Sequence, residues 1–302
     1  MCNTAVNYSY GAITFVKKNM ERKLSCEKEN KTMRLFAREV AQYLNECTEF
    51  EAEVVEKELP NGTQQIQVTI GKPGDKMRPS ISVESFKGKL SVEGTAIKMM
   101  EIYEENDKVE PDLDFFRNWE RVKEKITVRL MPGSYKADMC MSAKKYGFYD
   151  LILVPYVDAG DVLGDGMNGS IRVKKSHLGL WGVTEKQLYS VAIKNTKADV
   201  AQESMASFMQ TICPGMFDEN QLQGPMIVSN RNKAYGASGI IGVIEKLKKS
   251  NTDGFYVLPS SIHEVLVVPK DRDKSEYDMM VREVNATTVD PTEVLANHAY
   301  EF

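Results

Sequence analysis

The chain has 302 residues, of which 42 % are hydrophobic and 27 % charged, enough apolar material for one large or two ordinary domains and enough charge for a solvated surface. Its net charge of -4 excludes an overall basic footprint for duplex nucleic acid, because neutralising phosphates needs concentrated Lys and Arg, and no nucleic-acid partner is expected. The five cysteines, Cys2, Cys26, Cys47, Cys140 and Cys213, are scattered and form no C-x-x-C pair, which fits reduced thiols in a cytoplasm better than a disulfide framework or a zinc knuckle.

The apolar run Tyr10 to Val16 is too short to span a bilayer, and its charges, Lys17 and Lys18, follow it, whereas an export signal carries them in front. No export signal and no transmembrane segment are expected. Residues 1–31 read as a basic leader, helical by the spacing of Tyr10, Ile13, Met20 and Leu24. Lys17, Lys18, Arg22, Lys23, Lys28, Lys31 and Arg34 set this stretch against an acidic whole. Such a helix covers part of the body or, in a second reading, meets an anionic membrane surface through residues 10–34.

Met33 to Asn45 predicts an amphipathic helix with Phe36, Val40, Tyr43 and Leu44 on one face. Ala52 to Leu59, Pro60-Asn61-Gly62 and Gln64 to Ile70 predict a hairpin, since Asn-Gly permits the positive φ of a tight turn. Ser80 to Phe86 adds an alternating strand, and a helix from Gly94 to Glu105, with Ile97, Met100 and Tyr103 inward, covers the sheet. Pro111 opens a helical stretch through Phe115, Trp119 and Val122, and Ile126 to Leu130 is a short strand. Tyr149 to Val157 is almost continuously apolar, as in a strand buried on both faces. A loop rich in Asp and Gly follows to Gly169, then a strand at Ser170 to Val173. Thr184-Glu185-Lys186-Gln187 has the form of a capping box. Beyond it, strands at Pro225 to Ser229, Phe255 to Leu258 and Val265 to Val268 alternate with helices at Ala237 to Lys248 and after Ser275, and Asp290-Pro291-Thr292-Glu293 starts a short last one. Strands and helices without a sustained βαβ rhythm argue for α+β: an N-terminal antiparallel sheet with covering helices and a C-terminal mixed α/β unit. The expected organisation is a leader over 1–31, a lobe over 32–145 and a lobe over 146–302, the two lobes being also compatible with one continuous domain.

The most distinctive string is Pro259-Ser260-Ser261-Ile262-His263-Glu264, inside the run Tyr256 to Pro269. With it go Met280-Val281-Arg282-Glu283-Val284-Asn285, Tyr235-Gly236-Ala237-Ser238, Leu180-Trp181 and Ala192-Ile193-Lys194-Asn195-Thr196. Together these resemble the Firmicute domain of unknown function family 5688, over roughly residues 33–302. The resemblance implies a bacterial cytoplasmic protein and supplies no activity, cofactor or site residues.

Ser260, Ser261, His263 and Glu264 hold the inventory of a nucleophilic hydrolase. In an extended segment, however, Ser261 and His263 point in parallel, so a Pro-Ser-Ser turn whose hydroxyls satisfy backbone groups is the simpler reading. Tyr235-Gly236-Ala237-Ser238-Gly239 forms a strand–turn–helix, yet Ile240 stands where a nucleophile elbow needs glycine. Glycines for tight turning explain it, and anion binding at the helix start is the alternative. Asp158, Asp161, Asp165 and Asn168 fail the calcium-loop pattern at Leu163 and Arg172. His177, His263 and His298 lie far apart, so no metal and no cofactor are expected.

The leading functional expectation is therefore a non-catalytic module that binds or regulates another protein. The alternatives are a hydrolase-like enzyme or anion site built around Ser238 and Ser260-His263-Glu264, and membrane-surface recruitment through the leader.

Overall fold

The computed structural model describes residues 31–59, 64–75, 78–106, 112–160, 169–212, 224–259 and 261–302. The leader, the hairpin tip at 60–62, the acidic loop from 161 to 168 and Ser260 lie outside the described residues. The fold is α+β, and every strand pairing within the named sheets is antiparallel. Internal contacts divide the chain into two units, with the division between residues 106 and 112.

The first unit holds helix α1 (31–47), strands β1 (Glu51–Glu58), β2 (Gln64–Gly71) and β3 (Ser80–Ser82), and helix α2 (Val92–Asn106). The hairpin forms as its alternation predicts, with Val54 opposite Val68 and Ala52 opposite Ile70. One sheet face buries Ile66, Val68 and Ile70 against Val40 and Leu44 of α1 and Ala96, Met99 and Tyr103 of α2. Ile97, expected inward, is exposed. The buried triplet at 96, 99 and 103 follows the helical i, i+3, i+7 stripe, and Ile97 falls outside it.

The second unit begins with short helices α3 (Leu113–Arg117) and α4 (Trp119–Val122). Strands β4 (Ile126–Pro132), β5 (Met141–Ser142), β6 (Leu151–Asp158) and β7 (Ser170–Arg172) then form a sheet around β6, whose apolar run is buried as expected. The lobe boundary expected near residue 145 does not hold. β4 pairs with β6 from Ile126↔Val157 to Pro132↔Leu151, so a cut at 145 would separate two hydrogen-bonded neighbours.

Helices α5 (Lys175–Trp181) and α6 (Glu185–Ala198) follow. The capping box opening α6 is present: Thr184 Oγ1 accepts from the Gln187 N–H, and Gln187 Oε1 accepts from the Thr184 N–H. Next come β8 (Val200–Ser204), α7 (Met205–Ile212) and β9 (Met226–Asn230), then a 3₁₀ turn (Gly236–Gly239) that runs into α8 (Ile240–Ser250). Strands β10 (Phe255–Leu258) and β11 (Val265–Pro269), helix α9 (Lys274–Thr287) and strand β12 (Tyr300–Glu301) complete the unit. The five-stranded sheet has the order β12-β10-β11-β9-β8. Asp273, not Ser275, occupies the N-cap position of α9. Residues 291–293 form a turn rather than a helix, with Asp290 Oδ1 accepting from the Thr292 N–H.

One continuous core joins the two sheets of this unit. Leu188 and Ala192 of α6 and Ile240, Ile244 and Leu247 of α8 pack among Val128, Leu130, Leu153, Val257 and Val265. Both helices present an apolar residue every three or four positions, which is what a helix sandwiched beside a sheet requires.

Candidate functional site: a desolvated arginine in a cleft

The candidate site lies where the last turn of α6, strand β4 and the segment after β9 meet. Thr196 is buried near the end of α6; its hydroxyl donates to the Ala192 carbonyl at 2.8 Å and accepts from the Val128 N–H at 2.9 Å. Asn195 donates to the carbonyls of Lys123 and Ile126 at 2.9 and 2.8 Å. These bonds occupy backbone groups at the entry of β4 that would otherwise be buried unpaired, and they fix the strand in place. Along β4, Val128 and Leu130 point into the core, so Thr127 and Arg129 point to the opposite face. Tyr156 stands opposite Thr127 on that same face, diagonal to Arg129.

The Arg129 guanidinium lies between two aromatic rings, 4.2 Å from the centroid of Tyr156 and 3.6 Å from that of Tyr235. Among the described residues it has no carboxylate within ion-pair distance and no hydrogen-bond acceptor. Burial pushes its pKa below the ordinary arginine value, an effect opposed by Tyr156, Tyr235 and Asp158. Withdrawing a cation from water costs several kcal/mol. Each ring returns about 0.5–2 kcal/mol. The rings offset part of that cost, and among the described residues nothing accepts from the five N–H donors.

Tyr156 is itself held in position. Its hydroxyl meets that of Tyr135 at 3.0 Å, and Arg172 donates to Tyr135 Oη at 2.7 Å. Burial, then the Tyr135 hydrogen bond, raise the Tyr156 pKa, so its ring faces Arg129 as a neutral phenol at physiological pH.

The opposite ring, Tyr235, is carried by the segment between β9 and the 3₁₀ turn. Asn230 clamps this segment: its amide donates to the Ala234 carbonyl, and its Oδ1 accepts from the Ala234 N–H. Lys233 and Tyr235 both adopt positive φ, at 51° and 54°, conformations that cost non-glycine residues about 1 kcal/mol or more each. The glycines that follow permit close approach. A Cβ on Gly236 would lie 2.2 Å from Ser229 Oγ and 2.4 Å from the Asn230 nitrogen, and one on Gly239 would lie 2.5 Å from the Ser229 carbonyl oxygen. The cleft in front of Arg129 encloses about 270 Å³, with Thr127, Ser170, Asn230, Asn232 and Ser238 among its walls and with Asp158 and Asp199 lining it too.

Of the residues singled out in the sequence, Ser238 is buried and borders this cleft. Ser261 bridges to Val294, and its Oγ accepts from the His263 N–H at 2.9 Å. The His263 carbonyl accepts from Ser229 Oγ at 2.7 Å. On the His263 ring, Nδ1 accepts from the Tyr235 N–H at 3.1 Å, and Nε2 lies 3.2 Å from Glu293 Oε1. Both ring nitrogens thus face structural partners, and among the described residues no serine hydroxyl bonds to either. Glu264 lines a second trough with Ala201, Phe208 and Leu266, where burial raises its pKa against the opposing pull of His263. His263 and Glu264 occupy the loop before β11 rather than the strand itself.

The other two histidines are likewise occupied. His177 Nδ1 accepts from the Lys174 N–H, with the ring against Phe116 and Trp181. His298 lies 2.9 Å from Asp150, which also accepts from the Tyr300 hydroxyl. Among the described residues no three His, Cys, Asp or Glu side chains converge as metal ligands, and no helix is long and apolar enough to cross a membrane.

The Arg129 cleft does not stand out in the sequence by any motif. A signal is nonetheless present: a lone arginine inside the short apolar strand Ile126-Thr127-Val128-Arg129-Leu130, where a charge must have a reason. A family model described as a family of unknown function (DUF5688) matches residues 31–302. Neither curated proteins nor solved structures gave a match. The family match agrees in extent with the resemblance carried by the Pro259–Glu264 string and its companions, and the chain belongs to this family of unknown function.

Proposed function

We propose that this protein is a non-catalytic binding module with a regulatory role, and that it receives an anionic group of its ligand on Arg129. The observation that carries this reading is the guanidinium held between Tyr156 and Tyr235 with no protein acceptor among the described residues. A carboxylate or phosphate oxygen pair is the natural complement of a planar guanidinium fork in a half-buried site. The non-catalytic part is supported by His263, whose ring nitrogens face the Tyr235 N–H and Glu293, so among the described residues this histidine does not serve as a base for Ser238. A protein partner belongs to the reading too: Met279, Met280 and Val284 stand exposed on α9 and offer apolar area for it. The scattered cysteines, with Cys47 and Cys140 free and exposed, support a reducing, cytoplasmic compartment.

The test is a titration of the 15N-labelled protein with small anions: acetate, succinate, inorganic phosphate and pooled free amino acids. The arginine Nε–Hε signals report directly on the guanidinium. At least one of these is expected to shift the Arg129 signal saturably, and Arg129→Gln is expected to abolish binding while leaving the remaining spectrum folded. Saturable binding that survives Arg129→Gln would sink the reading, as would a silent Arg129 signal throughout.

A further inference from the structure

The charges that line the cleft say more about its ligand than Arg129 alone. Beside one arginine stand two carboxylates, Asp158 and Asp199. Neither is within ion-pair distance of the guanidinium. Asp158 is exposed at the end of β6, and among the described residues its Oδ1 accepts from the local Gly160 N–H at 3.1 Å. Asp199 caps the end of α6 and has a long contact, 3.9 Å, with the side chain of Arg231, which is itself largely exposed. Arg172 stands on the same sheet face but is engaged with Tyr135 and does not line the cleft.

Coulomb's law then separates the ligand classes. At an effective dielectric of about 20, two unit charges 4 Å apart interact by about 4 kcal/mol. A phosphate dianion on Arg129 would gain from one cation and be repelled by two carboxylates. A ligand carrying an anion and a cation a few ångströms apart would gain at both ends. The volume, about 270 Å³, lies just under the roughly 300–1,000 Å³ of drug-sized pockets and suits a ligand of few heavy atoms. The amide and hydroxyl groups of Asn230, Asn232 and Thr127 can serve either end.

Building on the anion reading above, we infer that the ligand is a small zwitterion of the free α-amino acid class, its carboxylate on Arg129 and its ammonium on the side of Asp158 and Asp199. The tyrosine rings flank the carboxylate end. The acidic side stays open to solvent, where an ammonium keeps part of its hydration.

Isothermal titration calorimetry on the full chain tests this with the proteinogenic free amino acids, the N-acetyl and methyl ester derivatives of the best binder, and inorganic phosphate. At least one free amino acid should give saturable heat, and acetylation or esterification should each weaken binding about tenfold or more, the loss of one charge-assisted contact. Asp158→Asn, alone or with Asp199→Asn, should weaken the free amino acid and spare its N-acetyl derivative. If the N-acetyl derivative or phosphate binds as tightly as the free amino acid, the zwitterion inference is overturned while the Arg129 reading stands. If the double Asn variant binds the free amino acid unchanged, the same conclusion follows. Heat from no probe, or heat undiminished by Arg129→Gln, overturns both. The derivative series uses the unaltered protein, so a variant that fails to fold does not leave the question open.

Discussion

Two clusters of polar side chains lie on either side of Tyr235, and they differ in one respect. Around His263, the ring nitrogens, the carbonyl and the N–H each have a neighbour within the chain: Tyr235, Glu293, Ser229 and Ser261. Around Arg129, the rings of Tyr156 and Tyr235 supply packing but no acceptor. A saturated cluster holds a turn together, whereas a half-buried charge that no described residue pairs is the better candidate for a contact from outside. Residue type alone would rank the two the other way, since serine, histidine and glutamate are the usual signs of chemistry.

The largest test of this contrast strikes the turn that carries Tyr235. Gly236→Ala would drive a Cβ into Ser229 and the Asn230 backbone, and a loss of about 3 kcal/mol or more is expected in urea unfolding. Gly179→Ala in α5 is the matched control: no heavy atom lies within 4 Å of its Cβ, and a gain of about 0.5–1 kcal/mol is expected. Equal effects at the two sites would mean that the turn is not tightly seated on β9.

A smaller effect sharpens the contrast from the saturated side. His263→Ala removes the acceptor of the Tyr235 N–H and should cost about 1–2 kcal/mol of stability. It should weaken anion binding less than Arg129→Gln does. If instead His263→Ala abolished binding outright and left stability untouched, the histidine would belong to the ligand site and the distinction between the two clusters would fail.

The smallest expected effect lies away from both clusters and concerns pH. Asp150 is partly buried, which by itself would raise its pKa, but hydrogen bonds from Tyr300 and His298 outweigh this and hold it below the ordinary carboxylate value. A depressed carboxyl contributes stability that is present above its unfolded pKa of about 4 and is lost as pH falls through the folded value. Thermal midpoints measured from neutral pH downward should therefore fall less steeply below about pH 4 in Asp150→Asn than in the unaltered protein. The difference should stay under about 1 kcal/mol, because solvent screens this half-exposed group. Parallel curves would remove Asp150 from the acid response.

Local patterns are legible in the amino-acid order itself. The hairpin of β1 and β2, the buried run of β6 and the capping box of α6 each follow from neighbours in sequence. The unit boundary falls elsewhere than the sequence predicts because β4 finds its partner across an intervening stretch, a pairing that no local pattern announces. The Arg129 cleft escapes sequence reasoning for the same cause. Its parts come from β4, β6, the end of α6 and the segment after β9, and no spacing rule relates them. The Pro259–Glu264 string, by contrast, is conspicuous for its residue types, yet Ser261 and His263 spend their polar groups on local bonds, and conspicuousness is a poor guide to chemistry.

Tyr300 bears on how the molecule is made. The first unit draws its buried residues from Ala37 to Tyr103, so its interior can close soon after that stretch has left the ribosome. The second unit places Tyr300 among its most buried side chains and bonds it to Asp150, half the chain earlier. Its interior therefore stays open until Tyr300 has been synthesised. One nascent chain thus carries an early-folding half and a late-folding half, and the span in which apolar strands such as β6 await their cover is the span in which chaperones would find this protein.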